Sequence, residues 1–174
     1  MHHQIIMAGN QTIVVKARCA FTDANGKRCK TITGITHPFC ELHTSEVFGV
    51  EVRPSQITAA GLGLWAVRDI KRNTHLFNYD GERLLKRDYN ARYEDTHMGV
   101  YGIELNRKTI IDARRTDSGI ARYICSYQGS GQKPNIKYES DGKVIEMITT
   151  RFVKAGEEIL GDYGEEMMTA LGVN

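Results

Sequence analysis

A chain of 174 residues has room for one ordinary domain plus a small accessory module, and a domain of that size buries a core without staples. Its 23 Lys and Arg against 21 Asp and Glu leave a net charge of +2, too even a balance to point to nucleic acid by charge alone. No apolar run approaches the ~18 residues of a membrane span, and the opening MHHQIIMAGN lacks the basic-then-apolar order of a secretion signal. The sequence reads as an intracellular chain with no membrane partner.

Residues 1–50 are rich in Cys, His, Thr and Gly, and little regular structure is expected there. Cys19, Cys29, Cys40 and His43 run as C-x9-C-x10-C-x2-H. Zinc takes four tetrahedral ligands, and Cys3His is a complete structural set with no position left for water. Cys40 and His43 are the strongest part, because a two-residue spacer lets one turn present both to a single ion. Asp23–Gly26 is a turn that brings Cys19 and Cys29 together, and His37 is the competing ligand. The alternative, buried free cysteines beside an incidental histidine, fits the ligand types less well. Lys16, Arg18, Lys27, Arg28 and Lys30 make the module basic. A solvated face accounts for them, and nucleic-acid contact stays the weaker reading.

From Val50 onward the pattern changes to short β-rich segments: Val52–Ile57, Gly63–Val67, Thr74–Tyr79, Val100–Leu105, Thr109–Asp112 and Val144–Thr150. Asp141-Gly142 is the clearest hairpin turn. Leu84–Glu94 is the best helix candidate, with Leu84, Leu85, Tyr89 and Tyr93 on one face. Many short strands, little helix and no β-α-β rhythm predict a mainly β fold of several small sheets and argue against a Rossmann-type architecture. The expected division is a metal module over residues 1–50 and a β-rich body over 51–174.

Five segments of the body carry a family resemblance when taken in order. Gly61-Leu62-Gly63-Leu64-Trp65-Ala66-Val67-Arg68-Asp69-Ile70 is similar to "GxGLFAxRxI". Tyr79-Asp80-Gly81-Glu82 follows, then Ile111-Asp112-Ala113 and Gly119-Ile120-Ala121-Arg122-Tyr123-Ile124, similar to "IDA" and "GNxARFI". Gly156–Gly164 (GEEILGDYG) resembles "GEELTxDYG". The ordered set resembles the SET domain of protein-lysine methyltransferases over about residues 52–166, and the metal module resembles small C3H-type zinc fingers of chromatin proteins. The departure lies where the family has Asn-His-Ser-Cys-x-Pro-Asn. This chain reads Cys125-Ser126 with an insertion before Pro134-Asn135, or Gly129-Ser130 if aligned from the other side, and neither recovers the Asn-His pair. The PR subclass of SET domains also departs here.

The resemblance implies a β-clip-like SET fold and a methyl donor, S-adenosylmethionine (SAM). It assigns Gly61, Leu62, Gly63, Leu64, Trp65, Arg122, Tyr123, Cys125 and Tyr163 to the cofactor. Tyr163 becomes the catalytic tyrosine, with Tyr79 and Tyr138 lining the lysine channel. It also implies a histone tail or other basic peptide as substrate, protein-complex partners and a nuclear location. The alternative is a SET fold without chemistry, acting as a binding module or chromatin-complex subunit. Glu157, Glu158, Asp162, Glu165 and Glu166 read as a solvated acidic tail, or as a cluster that favours a basic peptide if it lies at the channel mouth.

Overall fold

The computed structural model describes residues 11–94 and 99–171. The opening decapeptide, in which no secretion signal was read, lies outside the described residues. Cys40 to Phe48 builds the first helix, α1 (Glu41–Phe48), which ends where Gly49 turns left-handed at φ 70°. Only glycine makes that turn without penalty. This corrects the expectation of little regular structure before residue 50. The two-residue strands β1 (Ala17–Arg18) and β2 (Ile32–Thr33) pair antiparallel ahead of it.

The body opens with the hairpin β3 (Val50–Pro54) and β4 (Leu62–Ala66), paired so that Val50 faces Ala66 and Val52 faces Leu64. Next come β5 (His75–Asn78), β6 (Glu82–Leu85), the helix α2 (Lys86–Arg92), β7 (Gly102–Glu104) and β8 (Thr109–Asp112). Sheet order is β6-β8-β7, all antiparallel. The expected helix over 84–94 therefore begins two residues late: Leu84 and Leu85 pair with Ile110 and Thr109 of β8. Two apolar residues fit either period, and the available strand partner settled which one they follow. Tyr89 on the helix and Tyr93 at its C-cap are buried together, as their spacing required.

After β8 the chain makes two 3-10 turns, over Thr116–Ser118 and Ile120–Tyr123, and enters β9 (Cys125–Ser126). β10 (Ile136–Ser140) and β11 (Ile145–Thr149) form a hairpin through Asp141-Gly142, and β11 also pairs with β5. β10 was not singled out from the sequence, although Ile136-Lys137-Tyr138-Glu139 alternates apolar and polar residues as a half-buried strand does. β12 (Leu160–Gly161) returns parallel to β9, and α3 (Gly164–Ala170) follows. The core joins Val50 and Leu64 to Ile111, Ile145, Met147, Val153 and Ile159, all at most 2% exposed. Each such aliphatic contributes roughly 1.5–3 kcal/mol. Among the described residues, no helix is long and apolar enough to cross a membrane.

Asn135 ties the last strands together. Its Nδ2 donates to the Glu158 carbonyl at 2.8 Å, and its Oδ1 accepts the Leu160 N–H at 2.9 Å. The side chain is completely buried. Asn135→Ala orphans two buried backbone groups, so we expect a stability loss of about 3 kcal/mol in urea denaturation. A loss below about 1 kcal/mol would mean that water replaces the amide.

Candidate functional site: a tyrosine cluster beside the Gly-x-Gly strand, and a Cys3His centre

Parallel pairing of β12 with β9 sets Leu160 against Cys125 and Gly161 against Ser126, so the chain beyond β12 passes alongside the altered segment. Tyr163 emerges there, and its hydroxyl donates to the Ile124 carbonyl at 2.6 Å. Tyr79, at the end of β5 and 5% exposed, donates to the Tyr101 carbonyl at 2.9 Å. Tyr138, on β10, lies with its ring against Gly161, where any Cβ would collide with it. A glycine is required at that contact.

Burial raises all three phenols well above the ordinary tyrosine range, and their neighbours reinforce the effect: Tyr138 on Tyr79, Cys125 and Asp162 on Tyr138, and Tyr138, Cys125 and Tyr79 on Tyr163. They are neutral phenols at physiological pH. Since the protons of Tyr79 and Tyr163 are committed to backbone carbonyls, their oxygens face any ligand as acceptors. Burial likewise pushes the Cys125 thiol up to about 11. It points at the carbonyls of Leu62 and Tyr123, at 3.5 and 3.7 Å.

The cofactor candidates separate into two groups. Leu62 meets Cys125, whose sulfur reaches its carbonyl, next to the Ile124 carbonyl that receives Tyr163; Gly63 and Trp65 lie on the same strand as Leu62, and Gly61 directly precedes it. Leu64, on the same strand, has its side chain wholly in the core and can offer only backbone. Arg122 and Tyr123 turn their side chains toward the N-terminal segment. Arg122 Nε donates to the Ala113 carbonyl at 2.9 Å and stacks over Tyr101, while the Tyr123 hydroxyl donates to the Ile35 carbonyl at 2.7 Å. They too can offer only backbone on the β9 side. The insertion forms a surface loop, held by the Tyr127 N–H on the Gly161 carbonyl and by Gln128, which accepts from Ser126 and donates to Asp162.

Beside β4 there is open space and an unused hydrogen-bond donor. A side chain at Gly61 would meet nothing within 4 Å, and the indole N–H of Trp65 is buried without a hydrogen-bond partner among the described residues. The Arg53 guanidinium lies 4.0 Å over that indole ring.

The acidic cluster dissolves in three dimensions. Glu158 is fully buried, Glu157 pairs with Arg151 at 2.9 Å, and Asp162 caps the Gly164 N–H. Only Asp162, Glu165 and Glu166 remain exposed. Reading the five as one surface group failed because an acid placed just before the apolar pair Ile159-Leu160 is carried into the core. That placement was the signal available in the sequence. Ser55, which meets Glu158, carried no signal of that contact, and Tyr101, which receives Tyr79, showed only as part of an expected strand.

At the N-terminus, the ligand atoms of Cys19, Cys29, Cys40 and His43 all lie within 4.8 Å of one another. His43 Nδ1 is 3.5 Å from the Cys19 sulfur and 3.2 Å from that of Cys40. Four ligands on one tetrahedral zinc, with Zn–S near 2.3 Å and Zn–N near 2.0 Å, would stand about 3.5–3.8 Å apart. The set fits. Cys40 occupies the N-cap of α1 and His43 its first turn, where the helix dipole favours thiolate. Hydrogen bonds from Thr31 hold the Cys29 thiol down to about 6, whereas burial raises that of Cys40. His43 stacks on Phe21 at 3.8 Å, and its Nε2 lies 3.9 Å from the Glu46 carboxylate, an outer partner of the kind that orients metal-binding imidazoles. His37 is buried away from the cluster, its Nε2 on the Val15 carbonyl. The Asp23–Gly26 turn closes as expected, with Asp23 accepting from the backbone of Asn25 and Lys27.

A many-sheeted β body, a parallel return strand beside a cluster of neutral tyrosines and a Cys3His module together define a fold class apart from the doubly wound methyltransferases. The SET-domain family model matches residues 61–164, and the chain belongs to that family. Histone-lysine N-methyltransferase 2D of Homo sapiens is 32% identical over 111 residues, covering 59% of this chain and 2% of that protein. Histone-lysine N-methyltransferase EZH2 of Chaetomium thermophilum is 29% identical over 64% of this chain and 8% of its own length. N-lysine methyltransferase KMT5A of Xenopus tropicalis is 25% identical over 69% and 38%. The chain thus spans well under half the length of these curated relatives. It shares its fold with a chain of the Chaetomium thermophilum polycomb repressive complex 2, at a TM-score of 0.57 and 24% identity over 67% of this chain and 15% of that one. A structure of ctPRC2 in an autoinhibited conformation bound to S-adenosylmethionine matches at a TM-score of 0.55, again at 24% identity and with the same coverage.

Proposed function

We propose that the protein is a SAM-dependent protein-lysine N-methyltransferase acting on a histone tail or another basic peptide, in the nucleus and with chromatin-complex partners. The observation that carries this reading is the tyrosine cluster. Tyr163 and Tyr79 spend their protons on backbone carbonyls, so that two neutral oxygens are left as acceptors beside Tyr138. SAM supplies an activated methyl for in-line displacement, with Gly61, Leu62, Gly63, Trp65 and Cys125 as the residues that would hold it. The chain's own task is to present a neutral amine. Free lysine titrates near ~10.4, so a water-poor channel must favour its uncharged form. Acceptor oxygens align the N–H bonds of that amine and hold a methyl group by weak C–H···O contacts, and orientation supplies most of the gain. No tyrosinate acts as base, so the proton leaves to water. A single zinc in the Cys3His set would stabilise the N-terminal module and take no part in the chemistry.

The second reading, a SET-fold binding module, is favoured by Cys125, whose thiol cannot replace the amide of the family's asparagine. Calorimetric titration with SAM separates the two. We expect binding in the micromolar range from wild type and from Tyr163→Phe alike; no heat from folded, metal-loaded protein would sink the transferase reading.

A further inference from the structure

The buried carboxylate of Glu158 belongs to neither the tyrosine cluster nor the metal site. Its Oε1 accepts the Ser55 hydroxyl at 2.6 Å and its Oε2 the Gln56 N–H at 3.0 Å. The same Ser55 oxygen accepts the Ile57 N–H at 3.0 Å, and the Ser55 N–H closes the loop on the Gly61 carbonyl at 2.9 Å. Gly63 lies so close that a Cβ there would collide with the carboxylate. Its backbone continues from the other side: Trp65 bridges to Glu158, and the Glu158 carbonyl receives Asn135. One side chain therefore joins the loop between β3 and β4 to the segment that leads to Tyr163.

Energetics say what the carboxylate is for. Burying a carboxyl group is costly unless its oxygens are hydrogen-bonded, and here Ser55 and Gln56 take one oxygen each. An apolar residue of similar size would fill the same space at less cost. What the carboxylate supplies and leucine could not is a fixed position for the Ser55 hydroxyl and the Gln56 N–H. That loop needs fixing. Residues 58–61 are exposed and bring little packing, and Ala59 sits in the left-handed region at φ 68°, where a side chain is strained.

We infer that Glu158 is a positioning residue, a latch that holds residues 55–61 and the adjoining Gly-x-Gly strand in their cofactor-ready arrangement and so sets the affinity for SAM. This rests on the transferase reading above. Ser55→Ala releases the latch while leaving the buried acid in place, and Ser55→Thr restores the hydroxyl. Two readouts are taken on the full chain: hydrogen exchange at the Gln56 and Ile57 amides, and SAM affinity by calorimetry alongside KM and kcat. Loss of one hydrogen bond to the buried carboxyl group predicts that Ser55→Ala weakens SAM binding about tenfold. Exchange at both amides accelerates, KM for SAM rises in step, kcat at saturation stays within about twofold, and Ser55→Thr recovers most of the affinity. If wild type binds SAM and Ser55→Ala binds it equally well, or if the two amides exchange as before, the latch is refuted and the transferase reading stands. Wild type that binds no SAM removes the transferase reading, and the cofactor role of Glu158 with it, whatever the exchange data show.

Discussion

Tyr163→Phe should lower methyl transfer by about 10²–10³-fold while changing SAM affinity by less than about threefold, the size of effect seen when one preorganised polar group is removed from a reaction centre. The hydroxyl proton is fixed on the Ile124 carbonyl at 2.6 Å, so the variant loses an oriented acceptor and keeps the ring. The cost to folding is one hydrogen bond, about 1 kcal/mol, too little to explain a large rate loss through unfolding. A radiolabelled methyl-transfer assay on histone tails checks this, with thermal melts of both proteins alongside. The pH profile tests the same chemistry. Burial and the neighbouring Tyr138, Cys125 and Tyr79 keep the Tyr163 phenol neutral, so its ionisation does not enter the range near pH 8. The neutral fraction of a free lysine grows about tenfold per pH unit below ~10.4, so transfer should rise with pH from 7 to 9 at saturating SAM. A rate that fell over that range would contradict an all-neutral channel. Activity of the Tyr163→Phe variant within about threefold of wild type would remove Tyr163 from the chemistry.

Metal removal should have the largest effect on stability. Structural zinc in small modules contributes an apparent ~10–16 kcal/mol at neutral pH. A chain of this size shifts its melting midpoint by about 2–4 °C per kcal/mol. Chelation, or Cys40→Ser, should therefore lower the midpoint by about 10 °C or more if half of that energy reaches the body. The module is well placed to transmit it. Phe21, stacked on His43, meets Phe39 edge-on at 6.3 Å; Phe39 meets Phe48 at 5.6 Å; and Phe48 meets Phe77 of β5 at 5.9 Å, two residues before Tyr79. Tyr123 reaches back to Ile35. Metal release into a colorimetric chelator should give one zinc per chain, and a single melting transition should shift as a whole. Purified protein without metal that melts at the same temperature before and after chelation would mean that the four residues are a packed thiol cluster.

Much of this architecture is local, and local features show in a sequence. Thr109–Asp112 is a strand as its pattern required, and Asp141-Gly142 makes its turn, because β-branched runs and a Gly free to adopt φ 85° act within a few residues. Cys40 and His43 share one helical turn because two intervening residues leave few other arrangements. The Gly-x-Gly and Asp-Tyr-Gly segments identified the SET body for the same reason, each being a short backbone device with little freedom to vary.

Whatever depended on a distant partner waited for the fold. Leu84-Leu85 became strand because β8 offered hydrogen bonds at Ile110 and Thr109. The Cys125-Ser126 segment took its place by pairing with Leu160-Gly161, some 35 residues on, which pushed the inserted residues out into a loop. Glu158 left the acidic tail for the core because Ser55 and Gln56, about a hundred positions earlier, hold its two oxygens. The family, the small-sheet character and the Cys3His quartet are legible in linear order alone, since they rest on spacing within single segments. Which tyrosines gather, and which acid is buried beneath the Gly-x-Gly strand, follow from burial and hydrogen bonding, which are properties of pairs that the linear order does not bring together.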